Sequence, residues 1–170
     1  MSQSVNDRPN PAISVLLVED DAPARGRLHD ALTAAQFVVT GAATLAEARD
    51  ILARPDQAAP RVLLTDLQLP DGHGTELIRE VRQRFPETEI MVISIMGDEE
   101  SVISAITVGA TGYLLKDAFP TDIAATVREL CAGHSPISAS IARFIVRRTQ
   151  GQAAAVPPPA LNAEFCEGRQ

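Results

Sequence analysis

From residue 13 onward, short apolar runs alternate with longer stretches in which apolar side chains recur every three or four positions. The runs predict strands over Ser14–Val18, Phe37–Thr40, Val62–Thr65, Ile90–Ser94 and Gly112–Leu115. Each is brief and nearly continuous in hydrophobicity, the signature of strands covered on both faces. Helical spacing places Leu28, Ala31, Leu32 and Ala35 together within 23–35. It does the same for Leu77, Ile78, Val81 and Phe85 within 75–85, a segment that Pro86 stops. Further helices are predicted over 99–108, carrying Val102, Ala105 and Ile106, and over 120–132, carrying Ile123, Ala124, Val127, Leu130 and Cys131. Pro120 stands near the start of the last of these and Gly133 just past its end. This alternation predicts an α/β domain, a doubly wound parallel (βα)5 sheet with right-handed crossovers and helices on both faces.

After Gly133 the pattern changes. Ser138 is placed to cap a short extra C-terminal helix with Ile141, Phe144 and Ile145 on one face. The stretch GQAAAVPPPA that follows has the composition of a linker. The expected organisation is a disordered leader over 1–12, one domain over 13–133, a linker helix over 134–150 and an Ala/Pro-rich flexible tail over 151–170.

Composition narrows the class. With 4% aromatic residues and no Trp, the core must be built from Ala, Val, Leu and Ile. A formal charge of −7 argues against nucleic-acid binding by this chain alone, because phosphate neutralisation needs clustered cations. Arg143, Arg147 and Arg148 form the one basic cluster and read as a solvated helix face. Two distant cysteines, Cys131 and Cys166, make neither a disulfide framework nor a metal site, which suits a reduced, cytoplasmic protein. No apolar run approaches the roughly 18 residues of a membrane span, so no membrane partner is expected. The N-terminal MSQSVNDRPNPA lacks the form of a signal peptide.

In an open α/β sheet, ligands bind at the carboxyl ends of strands, so polar residues just past each strand carry the information. Glu19, Asp20 and Asp21 follow the first run, Asp66 follows the third, Ser94 ends the fourth, and Lys116 follows the fifth. Alone, most of these are unremarkable. Asp21 reads best as a helix cap, and a single lysine or serine would be a surface residue. Together they bring carboxylates, a hydroxyl and an amine to one rim. Clustered carboxylates repel, and Mg2+ resolves this by taking one or two of them plus a substrate phosphate. Lys116 supplies a point charge for that phosphate and Ser94 a donor. Asp66, after the central strand, is the natural nucleophile for an acyl phosphate.

The segments LLVEDDAPAR, LLTDLQLPDGHG and GATGYLLKD, in this order, resemble the motifs of the receiver domains of two-component response regulators. The resemblance covers about residues 13–133 and implies a flavodoxin-like fold of strand order 2-1-3-4-5. It implies that Asp66 is the phosphoacceptor and Asp20 a direct Mg2+ ligand. Glu19 would reach the metal mainly through water, and the backbone carbonyl of Gln68 would complete the protein's share. Ser94 and Lys116 would contact the phosphoryl oxygens. Tyr113 would be the switch aromatic that turns inward as Ser94 moves, rearranging the face formed by the fourth helix, fifth strand and fifth helix. Such a chain is not an enzyme toward other substrates and catalyses only its own phosphorylation and dephosphorylation. Its implied partner is a sensor histidine kinase, with homodimerisation on phosphorylation left open. By the same analogy Gln68 and Met96 flank the path of hydrolytic water.

GHSPISASIARFIVRR resembles the segment that follows the receiver in NarL/LuxR-type transcription regulators. A helix-turn-helix domain comes next in those proteins, whereas only LNAEFCEGRQ remains here, suggesting truncation or degeneration. A stand-alone adaptor or phosphoryl sink is the alternative. A haloacid-dehalogenase-type phosphatase also forms an aspartyl phosphate but carries a second Asp two residues on, where this chain has Gln68. His29, His73 and His134 read as solvated or loosely hydrogen-bonded rather than as phosphorelay histidines.

Overall fold

In the computed structural model, residues 11–95, 97–118 and 121–153 are described. Met96, Pro120, residues 1–10 of the expected leader, and residues 154–170 of the expected tail with Cys166 lie outside them.

The element order is β1 (Ser14–Val18), α1 (Ala22–Ala34), β2 (Val38–Ala42), α2 (Leu45–Leu52), β3 (Val62–Thr65), β4 (Gln68–Leu69), β5 (Gly72–His73), α3 (Gly74–Arg84), β6 (Glu89–Ser94), α4 (Glu99–Val108), β7 (Gly112–Leu115), a 3-10 turn (Lys116–Ala118), α5 (Ile123–Cys131) and α6 (Ala139–Ala153). The main sheet is fully parallel, in the order β2-β1-β3-β6-β7. Counting long strands only, that is 2-1-3-4-5, the flavodoxin-like arrangement. The remaining two strands pair antiparallel as a small hairpin, Gln68 opposite His73 and Leu69 opposite Gly72.

Strand side chains alternate between faces and so divide the core in two. Leu16, Val18, Leu63 and Val92 face the cluster built with α2, α3 and α4. Val15, Leu17, Val62, Leu64, Met91 and Ile93 face the cluster built with α1 and α5. The eight-residue α2 had no segment of its own in the hydrophobic pattern, yet it buries Leu45, Ala48, Ile51 and Leu52.

Helices begin where a short polar side chain accepts an otherwise orphaned N–H. Asp21 does this for α1, accepting from Ala24 at 2.9 Å. Asp98 serves α4 and Asp122 serves α5, accepting from Ser101 at 2.9 Å and from Ala125 at 3.0 Å. The second strand starts one residue later than expected and ends at Ala42. Gln36 adopts a φ of 70°, and the Phe37 N–H turns back to the Leu32 carbonyl, so Phe37 still belongs to the close of α1. Residues 134–138 do not open a helix. They run along the outer edge of β7, where Ile137 forms a parallel bridge with Tyr113, and α6 begins only at Ala139. Among the described residues no helix is long and apolar enough to cross a membrane.

Candidate functional site

The carboxyl ends of β1, β3 and β7 meet at one rim and deliver Glu19, Asp66 and Lys116 to the same place. Carboxylate oxygens of Glu19, Asp20 and Asp66 lie within 4.8 Å of one another. Glu19 and Asp66 are buried, whereas Asp20 is exposed at the mouth. The Lys116 ammonium donates to Glu19 Oε2 at 2.7 Å and to Asp66 Oδ2 at 2.8 Å.

Both oxygens of Asp66 have assigned partners. Oδ1 accepts the Leu67 N–H at 2.6 Å and the Gln68 N–H at 3.3 Å, leaving Oδ2 to Lys116. This fixes the carboxylate plane and aims it out of the sheet end. Glu19 is fixed likewise, its Oε1 accepting the Asp21 N–H at 3.1 Å. Arg25, from α1, donates to the carbonyls of Glu19 at 2.7 Å and Asp20 at 3.4 Å, holding the acidic loop from beneath.

The electrostatics follow from burial and pairing. Burial pushes the Glu19 carboxyl up, by more than its hydrogen bond to Lys116 pulls it down. Burial alone would depress the Lys116 ammonium, but its hydrogen bonds to Asp66 and Glu19 outweigh that and hold it above its ordinary value. Lys116 is thus a fixed positive charge between two acids.

Ser94 and Tyr113 are both fully buried, and their side chains hydrogen-bond to each other. The ring therefore sits inward, in the cluster shared with α4 and Ile141. Burial, then the nearby Asp98 charge, pushes the Tyr113 phenol up to about 12, against the pull of the Ser94 hydrogen bond. Ile95 beside Ser94 is 72% exposed, an apolar side chain standing free at the rim.

Several contributors were not singled out in the sequence. Asp71, in the turn of the β4–β5 hairpin, accepts the Leu45 N–H at 2.8 Å and the Ala46 N–H at 2.9 Å. These bonds hold its carboxyl below the usual range and fasten the hairpin to the start of α2. Gly74 lies so close to the Asp66 carbonyl that a Cβ there would sit 2.2 Å from it. His73 does not join the acidic cluster. It caps α3, with Nδ1 2.8 Å from Thr75 Oγ1, and Glu76 closes the capping box. His29 lies 3.5 Å from Asp30 and His134 is exposed.

Chemically, the rim offers an anchored carboxylate, a neighbouring ammonium and an all-oxygen donor set. Such a set, two acids buried and one at the mouth, fits a small hard divalent cation such as Mg2+. Gln68 begins the hairpin two residues after Asp66, with its N–H already turned to the Asp66 carboxylate. A cleft of about 390 Å³ between α1 and α5, lined by Ala24, Arg27, Leu28 and Ile123, opens onto Glu19 and Lys116.

The chain is similar to known proteins over most of its described length. A family model described as "Response regulator receiver domain" matches residues 15–128. The "DNA-binding transcriptional activator DevR/DosR" of Mycobacterium tuberculosis is 34% identical over 143 residues, which is 83% of this chain and 64% of that protein. The "Chemotaxis protein CheY" of Thermotoga maritima is 32% identical over 109 residues, covering 64% of this chain and 89% of that one. Among solved structures, the BeF3-activated DrrB receiver domain superposes with a TM-score of 0.62 at 26% identity, over 71% of this chain and 98% of that one. The chain spans 64%, 62% and 58% of the length of the first three curated relatives it matches.

Proposed function

The chain belongs to the response-regulator receiver domain family, and on that footing we propose that it is a phosphorylation switch whose phosphoacceptor is Asp66. The observation that carries this is the arrangement of the Asp66 carboxylate, pinned through Oδ1 by two backbone N–H groups and paired through Oδ2 with Lys116 beside Glu19 and Asp20. A free carboxylate oxygen lone pair attacks phosphorus, the bond to the donor's leaving group breaks, and an acyl phosphate forms on Asp66. The donor is a phosphohistidine of a sensor histidine kinase or a small phosphodonor. Lys116 neutralises charge on the transferred group, and Ser94, released from Tyr113, donates to one of its oxygens.

Glu19, Asp20, Asp66 and the Gln68 carbonyl would hold Mg2+, which when bound neutralises phosphoryl charge and orients the incoming group. The chain turns over no other substrate in this reading, so it is not an enzyme in its own right. The cleft between α1 and α5 gives a kinase access to the rim. Similarity to a DNA-binding transcriptional activator favours a transcriptional output, and the resemblance of GHSPISASIARFIVRR to the segment after the receiver favours the NarL/LuxR type.

Intact mass after incubation with acetyl phosphate and magnesium tests the reading. Wild type gains one phosphoryl group and Asp66→Asn gains none. A stable added phosphate on Asp66→Asn would falsify the assignment. Millimolar magnesium should raise the melting temperature of wild type more than that of Asp20→Asn, and equal shifts would remove the shared metal site.

A further inference from the structure

β7 is the edge of the main sheet, and its last residue, Leu115, precedes Lys116. Backbone groups on the outer side of an edge strand need partners from elsewhere. Here residues 136–138 supply them. The Tyr113 N–H donates to the Pro136 carbonyl at 3.0 Å, and the Tyr113 carbonyl accepts the Ser138 N–H at 3.1 Å. The next outward N–H, that of Leu115, donates to the Ser138 hydroxyl oxygen at 3.1 Å. Gly112 completes the close approach, since a Cβ there would lie 3.1 Å from the Pro136 carbonyl.

Ser138 also starts α6, its carbonyl accepting the Ala142 N–H at 3.0 Å. One residue therefore touches Tyr113 through its N–H, Leu115 through its hydroxyl and α6 through its carbonyl. Three residues on, Ile141 is fully buried in the same apolar cluster as Tyr113, with Phe144 and Ile145 packed against it. The sequence pattern places the Ser138 hydroxyl at the helix start. In the structure it reaches across to the strand that carries the site lysine.

We propose that Ser138 is a positioning residue of the phosphorylation switch, holding the end of β7 behind Lys116 and transmitting its displacement to α6. The inference rests on Asp66 being the phosphoacceptor. A phosphoryl group on Asp66 places phosphorus and its oxygens where the Lys116 ammonium now lies, 2.8 Å from Oδ2. The ammonium must follow the new oxygens outward, and the backbone ahead of it at Leu115 is tied to Ser138. Because α6 is joined to the strand through that same residue, its first turn moves with β7. The hydroxyl matters here because no other side-chain atom of residue 138 could accept the Leu115 N–H.

Hydrogen–deuterium exchange on the full chain, with and without beryllofluoride and magnesium, separates the possibilities. In wild type, beryllofluoride should change exchange at residues 93–95 and 113–115 and also at 141–147. Ser138→Ala should keep the first two responses and reduce the third to about one-fifth or less, while speeding basal exchange at Leu115 about fivefold, as expected for one lost hydrogen bond. Ser138→Cys, close in shape but a weak acceptor, should match Ser138→Ala, and Ser138→Thr should restore the wild-type response. An undiminished α6 response in the Ala and Cys variants overturns the proposal. So does a silent α6 in wild type whose residues 93–95 and 113–115 respond, or a Thr variant that fails to recover. If no segment of wild type responds, the phosphoacceptor reading itself falls and takes this inference with it.

Discussion

The helices on either side of the central strands are tied down very differently. On the β1–β3 side, Arg49 of α2 donates to both oxygens of Glu80 and to Glu76 on α3, with distances down to 2.6 Å. The Asp71 carboxylate bridges from the β4–β5 hairpin to two N–H groups of α2. On the other side, the far end of α4 is held by Arg82 donating to the Gly109 carbonyl at 2.7 Å. The near end of α4, next to Ser94, has an exposed ion pair of Glu99 with Arg148 of α6 at 3.4 Å. The Asp66 carboxylate thus sits on a braced platform, and the helix that follows the buried Ser94–Tyr113 pair is anchored firmly at its distant end. A switch needs this asymmetry, because chemistry demands a fixed carboxylate while signalling demands an element that can be displaced at little cost.

The largest effect should come from breaking the platform itself. Gly74→Ala drives a Cβ into the Asp66 carbonyl, against backbone that cannot swing aside as a flexible side chain would, and should lower unfolding free energy by about 3 kcal/mol in urea titrations. A loss below about 1 kcal/mol would mean that α3 can retreat without strain.

Next is the buried ring on the switch side. Tyr113 is protonated in the fold up to about 12, whereas an unfolded tyrosine ionises near 10.0. Between these values the native state binds the extra proton, so this contribution to stability is intact below pH 10.0 and is lost as pH rises toward 12. A shift of that size corresponds to roughly 3 kcal/mol. Tyr113 is the single tyrosine of the chain and Trp is absent, so tyrosinate absorbance reports it directly. A midpoint near 10.0 in folded protein would place the ring in water, and Tyr113→Phe should flatten stability across this interval.

A smaller, local change is expected at the hairpin tether. Asp71→Ala frees two helix-start N–H groups, so the Leu45 and Ala46 amides should exchange roughly tenfold faster with little change elsewhere. Unaltered exchange there would show that the tether does not brace α2. The smallest effect belongs to the surface pair on α4. Arg148→Gln should alter stability by less than about 0.5 kcal/mol, as exposed ion pairs do. A loss several times larger would make the near end of α4 as fixed as α2 and dissolve the contrast.

The same asymmetry marks what could be read from the chain. Main-sheet strands announce themselves as apolar runs because both faces are covered, and Glu19, Asp20, Asp66, Ser94 and Lys116 follow from asking what stands just past each run. The short α2 hides because eight residues hold barely two turns of periodicity and the preceding strand merges into it. The hairpin hides inside LPDG, which reads as a simple turn, although a Pro-Asp-Gly turn is also where a carboxylate is free to cap a distant helix. The bridge between Tyr113 and Ile137 leaves no side-chain signature, since backbone groups make it. Gly74 could have been found by asking why a glycine follows His73 at the start of a helix.

The spacing of the site along the chain has a consequence for how the molecule is made. Glu19, Asp20 and Asp66 all precede Lys116 by 50 residues or more, and the lysine directly follows β7, the last strand of the main sheet in chain order. A nascent chain that has paired β1 with β3 has gathered three acidic side chains, with Arg25 held on the loop carbonyls and no ammonium yet between the Glu19 and Asp66 carboxylates. Docking of β7 then brings the compensating ammonium, so completion of the sheet and neutralisation of the site are one event. Any arrest before residue 116 leaves an intermediate that is both open-edged and self-repelling, which favours late, all-or-none closure over a half-built receiver.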